Sequence, residues 1–288
     1  MDLGIGWIGY FVVALLMAGL HFVFIKKGLE GMSAAMAVAI EAAVLLLIRL
    51  TVLDFKGLLS SMSSLSGAVW GRLLIFTVMM VVAWIAFYYS MQITYETAVA
   101  PFSMLVFPVV TITTAVIGRS LPSWQMIIIL LLLIVGIFLM GFGREHKNKL
   151  WWIGAIGGAL LYAAYEVISG IYPIKMSESI LIAAQLLLIV IIAAIASVFM
   201  KHGDLKKLTV YHLLFIVLGA LCLYFAPICY ELALKGTSVD LLVKICFALW
   251  IFLNILGARI ILKDKINNVC VAGLAMITIA TIWRFFVK

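Results

Sequence analysis

Charge is scarce in this chain. Only 11% of its 288 residues are Asp, Glu, Lys or Arg, against 67% hydrophobic, and the mean hydropathy is +1.28. That balance excludes an ordinary soluble domain. Proline is scarce too, with five in all, so helices can run long before meeting a residue that breaks them. The four cysteines, Cys222, Cys229, Cys246 and Cys270, have no CxxC spacing, which argues for small apolar packers and against a disulfide framework or a metal site. Nothing resembles a P-loop, a nucleophile elbow, a zincin helix or a dinucleotide fingerprint. ATP-driven pumping and soluble-type enzyme chemistry are therefore disfavoured, and no cofactor is implied. The net charge of +8 does not point to nucleic acid, because the Lys and Arg are dispersed over short loops. There they suit headgroup contact and topology signals.

What the chain does have is one apolar signal repeated about ten times. Each stretch is roughly twenty residues, the length a helix needs to cross a bilayer core. Backbone polar groups in lipid must pair within their own segment, so these stretches are predicted to be helices. The expected spans are 4–25, 32–53, 70–92, 97–117, 123–142, 150–171, 179–200, 209–234, 238–260 and 266–286. The first has no basic segment before it and no small-residue cleavage site, so it reads as a retained helix. Longer polar connections are few: 54–71, 144–149 and 201–207, the first with a Lys56-Gly57-Leu58-Leu59 stretch suited to the membrane interface.

An offset of about 144 residues brings the two halves into register. His21 and Glu41 then fall on Tyr165 and Gln185, and Ser90–Thr94 falls close to Ala233–Thr237. The expected organisation is 1–145 and 146–288, two five-helix repeats in one integral membrane domain. Since five is odd, tandem copies enter the membrane from opposite sides, the inverted repeat of many secondary transporters.

Polar groups at depth are the candidate functional residues, because a charge at the bilayer centre costs about 2.5–3.5 kcal/mol even on the lenient insertion scale. Glu41 sits in Ala37-Val38-Ala39-Ile40-Glu41-Ala42-Ala43 with nothing polar beside it, so its partner must come from another helix. Tyr162, Tyr165, Glu166 and Ser169 share one helical face. Trp84, Tyr88 and Met91 share another, as do Tyr224 and Glu231 around Pro227, and Trp250 with Asn254. Acids lined by rings suit a cation. Each has a plainer reading: Glu41 as a structural acid paired with His21 or a hydroxyl, Glu231 with Lys235 and Asp240 with Lys244 as local ion pairs, His21 as a packing histidine, the rings as core. Gly154 and Gly158 form a GxxxG pair that fits a close crossing inside the bundle or between subunits.

A family resemblance rests on His21-Phe22-Val23-Phe24-Ile25-Lys26-Lys27-Gly28-Leu29, then Phe87-Tyr88-Tyr89-Ser90-Met91, Thr97-Ala98-Val99-Ala100, Pro108 and Gly136. Tyr230-Glu231-Leu232-Ala233-Leu234 and Gly273 repeat the theme. The chain resembles the EamA-type branch of the drug/metabolite transporter superfamily over nearly its whole length. It departs from the family at Ala18, where a Trp is frequent, at Glu41, where an Arg is frequent, and at Arg119, where an acid is expected that Asp264 retains in the second half. The resemblance implies ten helices with both termini inside, although the loop Lys and Arg are slightly more numerous on the side this makes external.

The expectation is an all-α protein of the bacterial cytoplasmic membrane, a secondary transporter moving a small organic metabolite by alternating access. An amine, another cation or a zwitterion is favoured, with proton coupling through Glu166, Glu41 and His21. Carboxyls withdrawn from water exchange protons as their surroundings change. Glu166, Glu41, Tyr162, Tyr165, Trp84, Tyr88, Tyr224 and Trp250 are the expected substrate-binding residues. The alternative is a flippase for a lipid or lipid-linked substrate; a membrane-embedded enzyme or scaffold subunit ranks third. The sequence leaves the oligomeric state open.

Overall fold

The computed structural model describes residues 6–51, 55–63, 65–143, 148–200, 209–237 and 249–287. Asp240, Lys244 and Cys246, and the polar loops at 144–147 and 201–208, lie outside the described residues. Among the described residues the chain is helical, with no strand. The first half holds α1 (Gly6–Gly28), α2 (Ala34–Leu50), a short α3 (Phe55–Ser63) and α4 (Gly67–Ile93). It continues through α5 (Glu96–Val99), a 3₁₀ stretch (Ala100–Leu105), α6 (Val106–Ile117) and α7 (Trp124–Phe142). The second half holds α8 (Trp151–Ile171), α9 (Glu178–Phe199) and α10 (Val210–Lys235). It ends with α11 (Trp250–Gly257), which runs into a π-helical turn (Ala258–Leu262), and α12 (Asn268–Arg284).

Seven helices are long and apolar enough to cross a membrane, counting Glu96–Ile117 as one. Large apolar side chains stand exposed along them, Ile75, Leu131 and Ile195 among them, which in water would make an extended apolar surface and in lipid is the expected outer face. The chain is an all-helical integral membrane protein. The second and tenth expected spans appear as 17-residue helices, and the ninth is described only from Leu249 onward.

The fourth expected span is one axis but not one helix. Pro101 has no N–H for the carbonyl of Thr97, and Pro108 has none for that of Met104. Between them the chain tightens into the 3₁₀ stretch before α6 begins.

Caps and turns recur at the same offset as the polar pairs. Ser123 starts α7 and Asn267 starts α12, each accepting through its side chain from the backbone N–H three residues on, Met126 and Cys270. The two non-glycine residues with positive φ among the described residues, Arg119 (53°) and Lys263 (58°), stand four residues before those caps. Both turn the chain sharply into the following helix.

The helices pair across the halves. α1 lies on α10 and α8 on α4, while α2 meets α9 and α7 meets α12; lesser contacts join α1 to α11 and α6 to α8. The α7–α12 crossing is backbone against backbone: a Cβ placed on Gly136 would lie 2.8 Å from the Gly273 carbonyl oxygen, and one on Gly273 would lie 2.6 Å from that of Gly136. The GxxxG pair serves the bundle. Cβ atoms on Gly154 and Gly158 would fall 2.6 Å and 2.8 Å from the carbonyl oxygens of Ala86 and Ala83, so α8 approaches α4 over two turns.

Candidate functional site

These pairings leave a cavity of about 590 Å³ between the halves, within the range that encloses drug-sized ligands. The first half contributes His21 and Phe22 from α1, Trp84, Phe87 and Tyr88 from α4, and Ser103 and Val106 from the broken fourth span. The second contributes Tyr162 from α8, Cys222, Pro227 and Tyr230 from α10, and Trp250 from α11. Aromatic rings dominate, and several pack together: Phe22 lies 5.5 Å from Phe87 and 6.2 Å from Trp250, centroid to centroid. Among the described residues no Asp, Glu, Lys or Arg lines the wall.

The acids stand one layer back. Glu41 on α2 is fully buried, and its Oε2 accepts a hydrogen bond from the Tyr88 hydroxyl. Its Oε1 lies 3.8 Å from Nδ1 of His21 and has no hydrogen-bond partner among the described residues. His21 Nδ1 is 3.0 Å from the Gly219 carbonyl oxygen, which can only accept, so that nitrogen carries a proton. Tyr88 and His21 thus separate a buried carboxylate from the cavity while touching both.

Glu166, on α8, is exposed and does not line the cavity. It lies against Tyr162, which does. Two tyrosines from opposite halves therefore each present one side to the cavity and the other to a carboxylate.

Of the residues expected at the site, Tyr162, Trp84, Tyr88, Trp250 and His21 line the cavity, and Glu41 and Glu166 back it. Tyr165 and Tyr224 are elsewhere. Tyr165 turns toward α9, where Gln185 donates to its hydroxyl at 3.4 Å, and it meets Phe76 edge-on. Tyr224 carries the Arg49 guanidinium 5.4 Å above its ring. On α10 the face toward the cavity runs through Cys222, Ala226 and Tyr230 at i, i+4 and i+8, rotated from the Tyr224–Glu231 face. Glu231 is exposed. Phe22, Phe87 and Tyr230 were not among the expected residues, although all three fall inside the apolar patterns that carry the family resemblance.

The arrangement can hold a compact body between ring faces and stabilise one positive charge by ring quadrupoles with a carboxylate behind them. No family model matches the chain, and no curated protein matches it.

Proposed function

We propose that the protein is a secondary transporter of a small organic amine in the bacterial cytoplasmic membrane, working by alternating access between two inverted five-helix repeats. The observation that carries this reading is the cavity itself: α1, α4 and the fourth span enclose it from one half, and α8, α10 and α11, their counterparts, enclose it from the other. The exchange of partners between halves, α1 with α10 and α8 with α4, supports the same arrangement, as do the caps and left-handed turns that repeat along the chain. The EamA-type resemblance agrees with it.

The walls favour a single cation over a zwitterion. Among the described residues the wall offers a bound carboxylate no basic partner, and burying it unpaired carries a cost that rings cannot offset. Glu41 is the proposed proton site, reached through Tyr88 and His21, and Glu166 supports the charge at Tyr162.

The test is uptake into proteoliposomes under an imposed pH gradient, with tryptamine, tryptophan and indole-3-propionate as probes of one ring and three charge states. The expected result is accumulation of tryptamine, at least tenfold slower in Glu41→Gln and several-fold slower in Glu166→Gln. If both variants run at the parental rate with unchanged pH dependence, the carboxylates are structural and the mechanism fails. Lipid translocation without solute uptake would establish the flippase instead.

A further inference from the structure

The two ends of the cavity are built differently. On one side it is lined by Leu223 and Pro227, both exposed. At the other end every residue from Glu96 to Phe102 is buried, and the closure is polar. Lys26 lies one helical turn beyond Phe22 on α1. Its ammonium donates to the carbonyls of Met91 and Thr94, the latter at 2.9 Å, with Gln92 at 3.5 Å. These carbonyls belong to the terminus of α4, where helix acceptors lack partners and a cation is favoured. The carboxylates of Asp264, Glu30 and Glu96 lie within electrostatic reach of the same ammonium.

Asp264 closes the cluster from the second half. Lys263 in its left-handed turn brings it to the start of α5, where Oδ2 accepts from the Thr97 N–H at 3.1 Å and from the Thr97 hydroxyl at 2.9 Å. Three separate segments, the end of α1, the α4–α5 joint and the loop before α12, are thus tied together across the cavity's closed end. The contacts are charge-assisted and made to groups that water also solvates well, so hydration can replace them when the end parts.

We infer that Lys26, Thr97 and Asp264 form a latch that holds this end of the cavity shut and must release before the cavity can face the other side. The inference rests on the transporter reading for its purpose, but the latch has its own readout. Cys222 lines the cavity and reports on access to it. In the full chain with Cys229, Cys246 and Cys270 replaced by Ser, a membrane-impermeant methanethiosulfonate is applied to either face of oriented vesicles, with Ala226→Cys on the same wall as a second reporter in a chain that also carries Cys222→Ser.

The parent labels from one face. Lys26→Met and Asp264→Ala raise labelling from the opposite face at least tenfold, Thr97→Val raises it less, and Lys26→Arg, which still donates to the carbonyls, keeps the parental pattern. Labelling from the opposite face that stays at the parental level in Thr97→Val, Lys26→Met and Asp264→Ala, while the first face still labels, overturns the latch. A switch in labelling without any solute uptake leaves the latch standing and removes the transporter reading; uptake without a switch does the reverse.

Discussion

Near the same joint, the two halves of the chain place different chemistry. In the first, His21 and Glu41 face each other between α1 and α2 at 3.8 Å; in the second, Tyr165 and Gln185 face each other between α8 and α9 at 3.4 Å. Both pairs are twenty residues apart, and the shift of about 144 residues superposes them. A polar contact between the first two helices of each half is thus common to both, whereas among the described residues an acid takes part in the first alone. There it gains a third member, Tyr88, and stands directly behind the cavity wall. The neutral pair packs beside Phe76, away from the cavity. The polar contact recurs in both halves, and the acid stands in one.

Substitutions can break that contrast from either side. The largest effect is expected from giving the second half an acid: Gln185→Glu should lower stability by about 3 kcal/mol, the cost of a charge at depth without an ionic partner. Adding Tyr165→His should recover part of the loss, since it rebuilds the first half's pair. Unfolding midpoints of both variants in detergent check this; a Gln185→Glu protein as stable as the parent would mean that the second site already tolerates charge. Next, Tyr88→Phe removes the one hydrogen bond that the described residues make to the buried Glu41 carboxyl and should cost about 2 kcal/mol in the same assay. The smallest effect is expected from Tyr165→Phe, below about 0.5 kcal/mol, because the bond it removes is long. Equal losses for the two Tyr→Phe changes would erase the distinction.

The all-helical, membrane-spanning class was legible in the sequence. Span positions were readable because charges and turn formers punctuate the apolar runs, and the inner acid because Glu41 has only apolar neighbours in sequence. The breaks in the fourth span were missed although both prolines were visible: an apolar run looks the same whether its turns are α or 3₁₀. Periodicity gave faces but not their direction. It grouped Tyr162 with Tyr165, and Tyr224 with Glu231, and only packing shows that one member of the first pair reaches the cavity and neither of the second. Lys26 read as one of many loop cations, because its partners are backbone carbonyls 65 to 68 residues away, which carry no sequence signature.

The meeting of Gly136 and Gly273 sets how closely two helices from opposite halves of the chain can lie. With no side chain between the two glycines the backbones touch, and Ile277 and Leu139 close in around the contact. A single added methyl would wedge that seam open, because the atoms it meets at 2.6 to 2.8 Å are backbone and cannot swing aside.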